Sequence, residues 1–446
     1  MINISSSSER LFQANLSYWI QYTISFFSWF TPKRIIYLFL FCQPLMEYSL
    51  INELNVTRHI IWRVIIVFLF SFTLYDAVFT RNSISLPNII RYPLFLYIIT
   101  AVLSTMLAYL LKSMEPLQGI YAISTFALLF LFIKVIPYWF NSKISILRVI
   151  NVYILATIIT NIYGVLEFII NRMILNDIFF RMSSVFNDPN IYARFNLIAI
   201  FFLLSILFFN KNLRKNLKIY YLFGLLLSGV SLFMSLSRSG YLTLLLGLVI
   251  FSFLFKGKKY KLIAIAVVSL MALMGILLLA TQRDFLGGTA IIEASGINRI
   301  LLILGGIDII KENWFLGIGY TNFSNYYVTN YVSKVLKMTE FNYYMMGYAT
   351  SIHNWLIEIW VEQGIIGLVA FVFLFGNILK YLYSNLKKTI DPIIKVCLSS
   401  CFLMIIVFLI HGFFYHTFIF HFFFWLMFGF TVSLITILEK DRSLLN

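Results

Sequence analysis

The chain has 446 residues, of which 61% are hydrophobic and 12% charged, and it carries 34 Lys and Arg against 18 Asp and Glu for a formal net charge of +16. With a mean hydropathy of +0.89 it is too apolar for a soluble globular fold and fits an all-α polytopic membrane protein. The positive balance reads as membrane orientation and attraction to anionic lipid. It excludes nucleic acid as the expected partner, since no basic run is long or set among aromatics in a soluble domain.

In chain order, Met1 to Glu9 is polar and serine-rich and lacks the basic and apolar regions of a cleavable signal peptide. Leu11 to Phe30 predicts a helix lying along the cytoplasmic interface, so residues 1–34 form a cytoplasmic N-terminal segment. Apolar runs of membrane length follow at 35–51, 60–79, 92–111, 119–140, 144–170, 191–209, 219–236, 240–255 and 262–280, giving nine spans within 35–280. Three more, at 361–380, 396–415 and 417–438, fill residues 361–438 and bring the expected total to about twelve. The run from Gly240 is short for about 30 Å of hydrocarbon. With the N-terminus inside, the cytoplasmic connectors hold most of the 34 Lys and Arg, as orientation requires. This puts both termini in the cytoplasm, with a tail at 439–446.

Residues 281–360, polar from Asp284 to Ser351, then form one large external loop, the main stretch that a bilayer would not accept. Cys42, Cys397 and Cys401 fall inside predicted spans, which argues against external disulfides and a structural zinc site. Three acids, Glu47, Asp76 and Glu167, lie within the membrane and are functional candidates because burying them is expensive.

Four short constellations could carry chemistry on the external side. Phe186-Asn187-Asp188-Pro189-Asn190 places Asp188 at a helix N-cap with Pro189 at the first helical position, or lets Asp188 contact a sugar. Arg172, Arg181 and Arg194 flank it and could line an electropositive cavity or contact lipid. Ser235-Leu236-Ser237-Arg238-Ser239-Gly240 is a turn that opens a helix. Its free N–H groups and the guanidinium fork suit a phosphate or diphosphate, and the alternative is an arginine snorkelling to headgroups. Asn298-Arg299 begins an apolar periodicity that predicts an amphipathic helix on the outer surface, with Asn298 as N-cap and Arg299 in the first turn. Gly317-Ile318-Gly319 then redirects the chain.

Ser351-Ile352-His353-Asn354 ends the loop just before hydrophobicity resumes. A histidine at that depth can accept a proton near neutral pH, and Asn354 can orient a hydroxyl; the alternative is an interfacial histidine capping a helix beside Trp355 and Trp360. The spacing from His353 to Glu358, with no second histidine, is not a zinc-protease pattern. His411, His416 and His421 are spaced by five and share no helical face, so no metal site is expected of them.

Taken in order, Phe-Asn-Asp-Pro-Asn, Ser-Arg-Ser-Gly, Asn-Arg with Gly-Ile-Gly, and His-Asn followed after nine residues by Gly-x-x-Gly resemble the O-antigen ligase and O-antigen polymerase superfamily over roughly Ser184 to Gly367. The resemblance implies a membrane glycosyltransferase of the C-type helical fold in a bacterial inner membrane. It would take glycan from undecaprenyl diphosphate at an active site on the external leaflet, without cofactor or metal. By motif position it implies that Arg238 and Arg299 hold the diphosphate and that His353 is catalytic, with Asn354, Asp188, Arg181 and Arg194 as further candidates for substrate binding. The acceptor is a lipid-linked repeat unit for a polymerase or lipid A core for a ligase, with chain-length regulator and flippase proteins as further partners. The Phe-, Ile-, Asn- and Lys-rich composition resembles divergent polymerases and favours that reading. A lipid-oligosaccharide flippase is the alternative from another class; it would need paired halves and would make Glu47, Asp76 or Glu167 matter more than His353.

Overall fold

The computed structural model describes residues 31–46, 55–80, 86–111, 116–175, 180–186, 188–254, 289–330, 351–415 and 422–443. Among them the secondary structure is entirely helical, as a chain in hydrocarbon must be if every peptide group is to find its partner within its own segment. The helices are α1 Pro32–Met46, α2 Asn55–Thr80, α3 Asn88–Leu111, α4 Pro116–Trp139, α5 Lys143–Ile169, α6 Pro189–Phe209, α7 Lys215–Met234, α8 Arg238–Phe253, α9 Thr289–Asn313, α10 Phe323–Asn330, α11 Trp355–Lys388, α12 Pro392–Phe414 and α13 Phe422–Ser443. A π-helical turn, Ile170–Ile174, extends α5.

Among the described residues, seven stretches are long and apolar enough to cross a membrane: α3, Lys143–Arg172, α6, α7, α11, α12 and Phe423–Asp441. Shorter apolar stretches run at Val64–Phe79, Phe130–Trp139 and α8. The protein is a multi-pass membrane protein. The expected interfacial helix at Leu11–Phe30 and the expected span at 262–280 lie outside the described residues, as do Glu47, His416 and His421.

α6 is the central helix, with Leu197, Phe201 and Leu203 fully buried, and it packs against α7 and α12. α11 lies against α3, and α13 against α4. Outward faces of α2, α3 and α7 carry exposed Val64, Phe68, Phe95, Leu110, Leu222 and Leu226, which water would not tolerate in such number and lipid does. Between helices the interior holds satisfied polar pairs. Asn161 of α5 donates to Asn196 of α6 at 2.8 Å and accepts from Tyr192 at 2.7 Å, which fixes the register of the two helices.

The segment 289–330 has its own small core of Leu302, Ile309, Ile318, Phe323 and Tyr327, and it closes on Ile352 and Val361. α9 begins at Thr289, about ten residues before Asn298, because Thr289–Ile297 contains only one glycine and otherwise tolerates helix; Arg299 therefore lies mid-helix, and the expected N-cap role of Asn298 does not hold. The chain after α9 is clamped to α3 and α11. Ile318 N–H donates to Val361 O and Gly319 N–H to Glu362 O, both at 2.9 Å, while Ser104 Oγ of α3 donates to the same Glu362 carbonyl at 2.5 Å. α11 is broken at Gly364, whose φ of 69° and ψ of −175° leave the helix. The break admits the Phe315–Leu316 backbone and lets Ile365 N–H reach Trp314 O at 2.9 Å.

Candidate functional site

His353 sits in a left-handed turn, φ 59°, immediately before α11. An L residue adopts that conformation at a cost, so the surroundings must hold it. The buried Glu358 carboxylate does so: it accepts Ser351 Oγ–H at 2.9 Å and the Ile352 N–H, and Ser351 Oγ in turn accepts the His353 N–H at 3.1 Å. Asn354 is the N-cap, its Oδ1 accepting from Leu356 N at 3.0 Å and Ile357 N at 3.2 Å. The helix thus starts at Trp355, earlier than the hydrophobicity suggested, and the Asn354 oxygen is occupied in starting it. The imidazole of His353 is half-buried, with its ring centroid 5.7 Å from that of Tyr415.

Arg238 is the first residue of α8 and is exposed, in a turn that reverses the chain through Leu236 at φ 50°. Ser237 caps α8 by accepting Gly240 N–H at 3.1 Å. Arg181 ties the turn from the other side, donating from Nε to Ser235 O at 3.2 Å and from Nη2 to Leu236 O at 3.3 Å. Arg299 reaches across from α9 and donates to Phe414 O, the last carbonyl of α12, at 3.3 Å. Among the described residues Arg238 has no ion pair or hydrogen bond.

Arg238 lies within electrostatic reach of both Arg181 and Arg299. Burial first, then the charge of Arg238, lowers the Arg299 guanidinium from its ordinary range. Arg181 is lowered too, by burial, with Asp188 opposing the shift and Arg238 adding to it. Guanidinium groups keep their protons through such shifts, so among the described residues the arrangement is a positive cluster with one carboxylate, Asp188, in its field.

Asp188 is the N-cap of α6 and accepts Asn190 N–H at 2.6 Å. It also accepts the Tyr415 O–H, while the Asn190 amide donates to the Tyr415 oxygen. From there a polar chain runs inward: Ser237 Oγ donates to Asn190 Oδ1 at 2.7 Å, lies 3.2 Å from Ser239 Oγ, and Ser239 Oγ lies 3.4 Å from Nε2 of the fully buried His411. Burial, followed by the Asp188 charge, raises the Tyr415 phenol above its usual value, so it stays a donor. Arg194 is set deeper on α6, 4% exposed, with its guanidinium 5.5 Å from the Phe408 ring centroid.

The structure therefore brings Arg181, Arg299, Asp188 and His353 around Tyr415, with Arg238 in reach of Arg181 and Arg299 and the buried Arg194 also nearby. Asn354 is adjacent but serves its helix. Asn187 lies outside the described residues. Asp76 accepts a hydrogen bond from Tyr138, and Glu167 receives the Ser184 N–H; neither adjoins the arginine cluster through any described contact. Tyr415 carried no motif, its one sequence signal being a polar aromatic at the end of an otherwise apolar span. His411 shares no helical face with the other histidines in the sequence, and in the structure it ends a hydrogen-bond chain.

No curated protein matches the chain. Residues 223–372 match the family model described as O-Antigen ligase. That stretch holds Arg238, Arg299, the Gly317–Gly319 turn, His353 and Gly364, while Arg181, Asp188, Arg194 and Tyr415 lie outside it. Over residues 223–372 the match supports a place in the O-antigen ligase and polymerase superfamily.

Proposed function

We propose that this protein is an O-antigen or capsular polysaccharide polymerase that transfers glycan from undecaprenyl diphosphate to a lipid-linked repeat unit on the external leaflet of a bacterial inner membrane. The observation that carries the reading is the cluster of three arginines beside a histidine held at a left-handed turn. A glycosyl diphosphate is already a good leaving group, so its departure needs cations and N–H donors at the developing charge more than it needs an acid. Arg238, with no described partner, and Arg299 supply the charge, and Arg181 adds to the field.

The acceptor hydroxyl attacks the anomeric carbon as the bond to the diphosphate oxygen breaks. The leaving diphosphate takes the electron pair, and the hydroxyl proton passes to the His353 imidazole, whose reference pKa of about 6.5 suits a general base near neutral pH. A single in-line displacement of this kind inverts the anomeric centre and needs no metal.

A second reading is a ligase that transfers the glycan to lipid A core, and the family match is compatible with both. Surface glycolipids from a strain lacking the protein separate the two. Core bearing one repeat unit identifies the polymerase; bare core with lipid-linked polymer accumulating identifies the ligase. Complementation with His353→Ala is expected to leave either defect in place, since a general base contributes about 10²- to 10⁴-fold in rate. Full rescue by His353→Ala would remove the histidine from the mechanism.

A further inference from the structure

Asp188 poses a problem for any anion site built here. Its charge reaches both Arg181 and Arg299, and a carboxylate facing a guanidinium forms one of the strongest pairings available to side chains. Such a pair would neutralise part of the cluster and place a negative group where a diphosphate has to sit. Yet among the described residues Asp188 has no ion pair. Instead it accepts the Asn190 N–H at 2.6 Å and the Tyr415 hydroxyl.

We propose that Tyr415 is a positioning residue that, with Asn190, holds the Asp188 carboxylate off the arginines and so keeps Arg181, Arg238 and Arg299 open to an anionic diphosphate. The inference rests on the diphosphate reading given above. A phenol suits the task, because it satisfies the carboxylate without adding a charge of its own. The tyrosine is itself fixed: its ring centroid lies 5.7 Å from that of His353 and 5.6 Å from that of His411, and its oxygen accepts from Asn190. Asn190 is held by Ser237, the cap of the helix that begins with Arg238. One network therefore fixes both the carboxylate and the arginine turn. The residue before it, Phe414, holds Arg299 through its carbonyl.

The test uses the full chain in detergent and farnesyl diphosphate as the probe, with binding followed by calorimetry. The wild type binds and Arg238→Ala does not, if the diphosphate reading is right; equal binding by the two would overturn that reading and this inference with it. Given that difference, Tyr415→Phe keeps the ring and loses the hydroxyl, and it should weaken binding about tenfold as Asp188 turns to the arginines. Adding Asp188→Asn, which still caps α6 but carries no charge, should bring the double variant back to within about twofold of wild type. A packing defect would not respond to that second change. Wild-type affinity in Tyr415→Phe, or a double variant no tighter than the single one, overturns the role of Tyr415 and leaves the diphosphate reading standing.

Discussion

Replacing Gly364 by alanine tests whether the broken start of α11 is what joins the loop segment to the membrane helices. The residue has φ 69° and ψ −175°, a region open essentially to glycine, and forcing another residue into it costs about 1–3 kcal/mol. A Cβ there would stand 2.0 Å from Phe315 O, 2.3 Å from Phe315 C and 2.5 Å from Leu316 N. These are backbone atoms, so no rotamer change can relieve the clash, and overpacking adds about 1–3 kcal/mol. The total is about 2–6 kcal/mol. Moving the 314–319 segment away would relieve it only by breaking the hydrogen bonds Ile365 N to Trp314 O, Ile318 N to Val361 O and Gly319 N to Glu362 O, each 2.9 Å. Either response shifts α9, and Arg299 with it, relative to His353. Gly376 in the same helix is the control: a Cβ there meets nothing within 4 Å, and alanine should be neutral or favourable by up to about 1 kcal/mol on helix propensity. Thermal unfolding of the purified protein in detergent should show a lowered midpoint for Gly364→Ala alone, and the same variant should fail to restore long polysaccharide. A Gly364→Ala protein with the wild-type midpoint and a full polymer ladder would refute the argument.

Glu358→Leu should be worse than Glu358→Gln, because leucine leaves the Ser351 hydroxyl and the Ile352 N–H buried without an acceptor, at about 1–3 kcal/mol each, while glutamine keeps one accepting oxygen. Thermal midpoints and complementation should rank wild type, Gln, Leu in that order; equal behaviour of Gln and Leu would mean that the carboxylate does not hold the His353 turn. At the far end of α11, burial works against ionisation of Asp391, but Lys143 and the N–H groups of Ile393 and Ile394 outweigh it, and the carboxyl titrates below its usual range. A folded pKa below the unfolded value of about 3.9 contributes stability that is present above that pH and lost as pH falls through it toward the folded value. Asp391→Asn keeps the cap on α12 and loses the attraction to Lys143. Its midpoint should therefore lie below wild type near neutral pH and converge with it in acid; a gap that persists unchanged in acid would refute the assignment.

The membrane class and most helices were legible in one dimension, because a bilayer imposes its demand residue by residue: about twenty apolar positions in a row, backbone paired within the segment. The runs at 92–111, 191–209 and 396–415 correspond to α3, α6 and α12 within a few residues. Capping was legible for the same local reason at Asp188, where a cap oxygen precedes proline. The residues Arg238, Arg299 and His353 could be picked out as polar groups with no apolar reason to be there, but the approach of Arg238 to Arg299 could not, since it joins segments separated by 61 residues in the numbering of the chain. Gly364 shows why. Its positive-φ conformation matters only because Phe315 passes within contact of it, and no local pattern records that approach. Tyr415 and Glu358 were hidden differently. Each acts through side chains brought to it by packing, Asp188 and Asn190 in one case and Ser351 in the other. What the sequence determined by itself was what each segment must avoid, water or lipid; which charges face each other, and which carboxylate is kept from which arginine, was decided only when α6, α8, α9, α11 and α12 came together.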